Sequence, residues 1–499
     1  MNYADLFRAT LPETALEIAA LLVIVADLGF LRRAALKARV TVAALLGVAG
    51  CGAALWAMQF QGGCWFRLTD PAGPALLGSG GIIAVAQAGI LVLTALTLLL
   101  LIDANFTRHV GEYVAVVLMA AVGGLLIAGA QDLLVIFIGL ELLSLGLYIL
   151  TAFAKRSGKS AEAAMKYYLF GGMAAAFLLF GFSYFYGLSG STNLAEIQRA
   201  IAATGPSPLF YVAWILVVTG LGFKIAAVPF HLWAPDTYEG APAPAAAFIA
   251  SVSKVASFAL LVSLSMGWLM PGSAAAASKD AVEGYLRGVY QTWPQLATIL
   301  LVVAAASMVV GNLAALAQVS VRRLLAYSAI AHAGYMLLGI GVHSTFSGQG
   351  SALQFFAGAV NPAIRSSNAV LYYVLTYGLT TIGAFGVVAV VERATGSDRM
   401  DSFLGLHKRN PLLAAVLGVS AGPVPFTLVA LAVAFSAVSL YYYLQVLKRA
   451  YVMPAVDETP IKAHPVTMAV LLAIAAAVVL LGCFPALLGN WIDGLSPLR

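Results

Sequence analysis

Three charged side chains stand where charge is costly. Glu141 lies in "LLVIFIGLELLSLGLYIL", Lys224 in "WILVVTGLGFKIAAVPF" and Lys254 in "AAFIASVSKVASFALLV". Each costs about 2.5–3.5 kcal/mol at bilayer depth on insertion scales. One such residue alone is as readily a snorkelling side chain or a local structural pair as a functional group. Three of them, of both signs and in apolar segments near one another, favour function. A buried carboxylate and a buried amine stabilise each other's charged forms, and either left unpaired shifts towards neutrality. Such a pair gains or loses a proton on a small change in separation, which is the chemistry of a proton relay. Glu141 and Lys224 are therefore expected to form one electrostatic unit.

His332, in "YSAIAHAGYML", is a lone histidine in an apolar segment, with Tyr327, Ser328 and Tyr335 nearby. Its ordinary pKa near 6.5 suits proton transfer. A hydrogen-bonded structural histidine is an equal reading. Pro229 follows Lys224 by five residues. It lacks a backbone donor and interrupts the helix there. Freed carbonyls and a half-helix end would then line a polar, hydrated gap beside the lysine. Irregular backbone at membrane depth is tolerated only where protein or a water-filled cavity covers it, and discontinuous helices mark ion pathways in transporters. Asp132 reads as a helix N-cap. Glu162 and Lys166, one turn apart, read as an interfacial pair. Asp236 and Glu239 read as residues that order the loop after the break.

The elements that must hold these residues follow from composition. The chain has 499 residues, 62% of them hydrophobic and only 10% charged. A soluble protein of this length carries far more charge. Apolar runs long enough to span ~30 Å of hydrocarbon recur from end to end. The class is an all-α polytopic membrane protein. The runs predict helices near 14–31, 40–58, 81–102, 112–129, 132–153, 162–187, 209–228, 241–268, 294–315, 322–342, 369–391 and 465–489. Loops are expected at 61–77, 188–208, 269–293 and 343–368, and no convincing strand is present.

Basic residues set the orientation. Arg32, Arg33, Lys37 and Arg39, then Lys155, Arg156 and Lys159, then Arg322 and Arg323, then Arg393, Arg399, Lys408 and Arg409 fall on one side if the helices alternate. The positive-inside rule puts that side in the cytoplasm and the N-terminus outside. The +6 net charge thus reports topology rather than nucleic-acid binding. Cys51, Cys64 and Cys483 are scattered and form no CxxC pair. The six histidines do not cluster with carboxylates, so no metal, haem or iron–sulfur site is expected. No Rossmann or P-loop glycine pattern follows a strand. The segment "MNYADLFRATLPETALEIAA" lacks the basic start and cleavage site of a signal peptide, so the first hydrophobic helix is expected to be retained.

The stretch 410–447 is apolar but broken at "GPVPF", where Pro423 and Pro425 preclude a regular helix interior. Arg409 on one side and Lys448 and Arg449 on the other bracket it. A single crossing would place the second basic group outside, against the positive-inside bias. The pattern predicts a half-helix over roughly 411–421, a turn at Gly422–Pro425 and a helix over roughly 426–447, with both ends on the cytoplasmic side.

Several of these segments carry a resemblance. "GLGFKIAAVPFHLWAPDTYEGAPAPAAAFIASVSKVASF", "IGLELLSLGLYIL" and "RRLLAYSAIAHAGYMLLGI" resemble subunit N of bacterial NADH-quinone oxidoreductase, the respiratory complex I, over most of the chain. The resemblance implies a fourteen-helix fold with two inverted five-helix repeats, each with a broken helix bearing a lysine. It implies proton translocation in a membrane arm, with other complex I subunits and the lipid bilayer as partners. NADH and quinone would be met only through partner subunits, and the chain would hold no cofactor of its own. By position Glu141 matches the fifth-helix glutamate, Lys224 the broken-helix lysine and Lys254 the connecting lysine. His332 matches the family's "AHAGY" motif. The implied division is 1–110 for N-terminal helices, 111–270 for the first repeat, 290–450 for the second and 465–499 for a C-terminal helix. The sequence departs from the family after "HKRNPLLAAVLGVSAGPVPF". Near residues 422–427 about one helix is missing, and with it the terminal lysine of the relay. About 13 helices and an incomplete second repeat are therefore expected. The alternative functions are a cation/proton antiporter subunit of the same superfamily, against which "FHLWAPDTYEGAP" argues, and a structural subunit that has lost its transport path.

Overall fold

The computed structural model describes residues 7–61, 65–67, 75–104, 106–267, 279–341, 352–420, 439–454, 460–461 and 463–494. The helices in chain order are α1 (Leu11–Val25), α2 (Leu36–Ala57), α3 (Gly81–Leu101), α4 (Val110–Gly129), α5 (Leu133–Thr151), α6 (Gly158–Ser189), α7 (Leu194–Thr204), α8 (Pro208–Ile225) and α9 (Trp233–Gly240). They continue as α10 (Ala243–Gly267), α11 (Lys279–Leu316), α12 (Val321–Gly341), α13 (Ala352–Thr395), α14 (Leu406–Arg409) and α15 (Pro411–Ser420). A helix α16 covers 439–447, followed by α17 (Pro465–Cys483) and α18 (Ala486–Gly494). Among the described residues, 11 helices are long and apolar enough to cross a membrane.

Differences from the sequence reading fall in the segments between spans. The 61–77 loop contains a two-stranded antiparallel ribbon, β1 (Trp65–Arg67) with β2 (Ala75–Gly78). A ribbon of three and four residues is too short for alternation to reveal. The 188–208 loop contains α7, whose apolar residues lie on one face only and so read as polar overall. Its start is legible: Asn193 accepts from the amides of Ala195 and Glu196. The expected loops 269–293 and 343–368 are in part helical, since α11 and α13 begin at Lys279 and Ala352. Polar residues hid these extensions from a hydropathy reading. Pro485 divides the expected 465–489 helix into α17 and α18.

The core sits around α10. Its span Ala243–Ser265 is 94% buried, and it packs against α13, α3 and α4. The sequence explains why: "APAPAAAFIASVSKVASF" is built of alanine and serine, small enough for helices to close around it. Glycine does the same between α4 and α5. A Cβ on Gly123 would meet the Leu143 amide nitrogen at 2.5 Å and the Gly139 carbonyl at 2.8 Å. The two backbones touch beside Glu141 and hold it in place.

One end of the bundle gathers the basic loops. Asp103, after α3, pairs with Arg393 at the end of α13 and accepts from the His464 amide before α17. Asp27 pairs with Arg39 at 2.7 Å and accepts from the amide of Gly111 at the start of α4. The two ends of the 411–447 stretch meet at this same end. The Gly405 amide donates to the Arg449 carbonyl at 3.0 Å, and His407 Nδ1 lies 3.0 Å from the Ala450 carbonyl. The half-helix expected over 411–421 is α15, and α16 forms the last part of the expected 426–447 helix. The Gly422–Pro425 turn and the missing segment near 422–427 lie outside the described residues.

Candidate functional site

Lys224 lies in the last turn of α8, where its charge complements the negative end of the helix. It is only 5% exposed. The helix stops at Ile225 because Ala226 turns left-handed, at φ 59°, and its amide bonds back to the Phe223 carbonyl. Pro229 then bars resumption. The backbone groups at the break are met by protein. Trp233 Nε1 donates to the Phe223 carbonyl at 2.9 Å, and the Val228 amide donates to Ser307 Oγ of α11 at 2.9 Å. The break is thus covered by neighbouring side chains at both of these positions, which modifies the expectation of freed groups lining a hydrated gap.

Among the described residues Glu141 and Lys224 form no direct ion pair. Lys224 Nζ donates instead to Ser144 Oγ. Ser144 lies three residues after Glu141, on the same face of α5, and itself donates to the Leu140 carbonyl. Glu141 is half-buried and close enough for its charge to act on Lys224. The Tyr148 ring stands 5.6 Å from Nζ. The unit is therefore an amine hydrogen-bonded to a hydroxyl, with a carboxylate one turn from that hydroxyl, held by α5 and α8.

Lys254 and His332 form a second cluster. Lys254, on α10 and 1% exposed, donates to the Ala329 carbonyl of α12. Its Nζ lies 5.3 Å from the centre of the Tyr377 ring, which in turn lies 4.9 Å from the His332 ring. His332 Nδ1 is 2.7 Å from the Tyr373 hydroxyl. A cavity of about 50 Å³ opens beside it, lined by Ser328, His332, Tyr377, Thr380, Thr381 and Tyr443 among others. That is room for about one or two waters. Helix α16 completes the cluster: Tyr443 bonds Ser328, while Ser439 donates to Asn312 of α11. Sequence reading noted Ser328 but missed Ser144, Asn312, Tyr373, Tyr377 and Tyr443. The i+3 spacing from Glu141 could have found Ser144. Nothing local marks a tyrosine on α13 or α16 as a neighbour of α12.

Asp132 N-caps α5, accepting from the Leu134 amide at 2.8 Å. Lys166 bridges Glu162 and Asp236, each at 2.7 Å. Asp236 also meets Arg323 at 2.6 Å, and Glu239 meets Arg323 and Lys159, each at 3.1 Å. Arg322 holds the Ala241 carbonyl at 2.8 Å and pairs with Glu392. This clamp ties α9, and with it the end of the broken segment, to α6, α12 and α13. Burial alone would raise the Asp236 and Glu239 carboxyls. The hydrogen bonds from Lys166 and Arg323 to Asp236, and from Arg323 and Lys159 to Glu239, outweigh it and hold both below their usual range.

Comparison with known proteins gives the arrangement its context. The family model described as NADH:quinone oxidoreductase/Mrp antiporter, transmembrane, matches residues 130–358 and 354–433. The Acidobacterium capsulatum protein named NADH-quinone oxidoreductase subunit N 2 is 42% identical, covering 99% of both chains. The chain belongs to the NADH-quinone oxidoreductase subunit N family. A Desulfovibrio desulfuricans subunit N is 35% identical over 98% of this chain and 96% of its own. Among solved structures, a chain of respiratory complex I from Thermus thermophilus superposes with a TM-score of 0.70 at 30% identity, covering 96% and 98% of the two chains. A chain of the Mrp complex from Dietzia sp. shares the fold, with a TM-score of 0.75 at 19% identity, covering 100% of this chain and 98% of that one. The family is thus antiporter-like in architecture. The Acidobacterium alignment runs over 534 positions against a chain of 499 residues, so at least 35 of them are gaps in this chain.

Proposed function

We propose that this chain is a proton-translocating subunit in the membrane arm of a bacterial NADH-quinone oxidoreductase. It moves protons while partner subunits pass electrons from NADH to quinone. It lies in the plasma membrane with its N-terminus outside and its basic end in the cytoplasm. The observation that carries the reading is Lys224 buried at the interrupted end of α8 and hydrogen-bonded to Ser144, which lies one turn from Glu141 on α5. Ionised Glu141 favours the ammonium form of Lys224, and loss of that charge or a small separation favours release of the proton. Lys254 takes protons onward, and His332, with Tyr377 beside both, receives them next. The 35 or more alignment gaps are read as a missing helix near residues 422–427 that carries away the relay's terminal lysine. The second repeat is then incomplete, and His332 with the hydroxyls of α16 supplies the last polar groups on the path.

The test is NADH-driven proton uptake by inverted membrane vesicles. Glu141→Ala and Lys224→Ala should each lower proton pumping severalfold while the complex still assembles. Unchanged pumping in both variants would remove these residues from the relay.

A further inference from the structure

A cavity of about 740 Å³ opens at the basic end between the termini of α2, α4, α5 and α6. Its wall includes Leu36, Phe106, Arg108, Phe153, Lys155 and Arg156. We infer that it binds the phosphate headgroup of an anionic phospholipid.

Charge is the first argument. Nearby, Asp27 pairs with Arg39 at 2.7 Å, and His109 Nδ1 lies 3.1 Å from the Glu112 carboxylate. Among the described residues Arg108, Lys155 and Arg156 have no ion-pair partner. The clamp residues at the same end differ, since Lys159, Lys166, Arg322 and Arg323 are each matched by a carboxylate. The preference for basic residues on the inner side accounts for the sign of the three charges. It does not account for their convergence, unpaired, on one cavity.

Shape is the second argument. The apolar wall is fixed by edge-to-face aromatic contacts, with Phe106 against Tyr113 at 5.1 Å and Tyr113 against Phe153 at 5.0 Å. The Tyr113 hydroxyl between these rings is buried and has no partner among the described residues. Phenyl and leucyl groups beneath cationic groups suit a glycerol backbone and its first methylenes better than they suit a soluble anion. The volume falls in the range of small-ligand sites.

Depth is the third argument. The lining residues sit at the ends of four candidate spans, 36–60, 110–129, 133–151 and 158–189. This is the level of a headgroup region. The start of α6 adds the partial positive charge of a helix N-terminus. Each interfacial Lys or Arg raises affinity for an anionic headgroup by roughly fivefold, so three together give about a hundredfold.

The experiment uses the assembled complex in nanodiscs containing a photoactivatable phosphatidylglycerol or, separately, a photoactivatable phosphatidylcholine. The phosphatidylglycerol probe should label peptides spanning 106–109 and 153–157 at least tenfold more than the phosphatidylcholine probe. The variant Arg108→Gln/Lys155→Gln/Arg156→Gln should lose that labelling. Arg108→Lys/Lys155→Arg/Arg156→Lys should keep it, which separates loss of charge from misfolding. Lys408→Gln/Lys448→Gln, at the same end but off the cavity, should leave it unchanged. Equal labelling by both lipids, or labelling that survives the triple Gln variant, overturns the inference. Full displacement by millimolar inorganic phosphate would assign the cavity to a soluble anion and overturn it too. So would a cross-linked partner polypeptide filling it.

Discussion

At the scale of single residues the decisive finding is Ser144. Lys224, expected to form one electrostatic unit with Glu141, hydrogen-bonds to the Ser144 hydroxyl, one turn from Glu141 on the same helix. That hydroxyl accepts from the ammonium and gives its own proton to the Leu140 carbonyl, so on the proposed relay it is placed to pass a proton on. Ser144→Ala leaves Lys224 buried with one hydrogen bond fewer, and a bond to a charged group is worth roughly 1.5–3 kcal/mol. Proton pumping should fall about tenfold or more, while Ser144→Thr, which keeps the hydroxyl, should retain most of it. A Ser144→Ala complex that pumps normally would show that the hydroxyl is a bystander. The charged members of the site were legible because charge in an apolar run is itself a signal. Serine and tyrosine in such runs are too ordinary to stand out, so Tyr373, Tyr377 and Tyr443 became visible only once helices distant in sequence were packed together.

At the scale of elements the broken helix and the hairpin expected over 411–447 divide what was legible from what was not. Pro229 announced the first break, but not that Trp233 and Ser307 would take up its loose backbone groups. The clamp on α9 gives a pH-dependent consequence. Asp236 titrates below its usual range in the folded chain. Its contribution is therefore present above the ordinary carboxylate pKa and is lost as pH falls through the lower folded value. Asp236→Asn should lower the thermal midpoint of the complex at pH 7, each such partly exposed pair being worth at most about 1 kcal/mol. The gap from wild type should shrink below about pH 4. A gap that stays constant with pH would deny the clamp its electrostatic origin. For the hairpin, the positive-inside argument and the Gly405–Arg449 hydrogen bond agree that its ends share one side. Single cysteines at Lys408 and Lys448 should both be labelled by impermeant maleimide from the cytoplasmic face only, and labelling of the 448 position from outside would break the hairpin.

At the scale of the whole molecule the two clusters lie on different helices. Glu141, Ser144 and Lys224 belong to α5 and α8, whereas Lys254 and His332 belong to α10 and α12, with α13 and α16 around them. The central helix α10 packs against α5, α8, α12 and α13, so Lys254 is a buried amine on an element that touches the helices of both clusters. On the proposed relay, that placement would make the path a series, with Lys224 feeding Lys254 and Lys254 feeding His332. Steps in series do not add when blocked, because removing one already stops the flow that the other would carry. Lys224→Ala and Lys254→Ala should each reduce proton pumping severalfold, and the double variant should pump no less than the worse single one. Two independent routes would instead make the losses add. The measurement is the ratio of protons moved to NADH oxidised in vesicles containing each single variant and the double. A double variant whose loss equals the sum of the two single losses would require separate channels and would remove α10 as the connecting element.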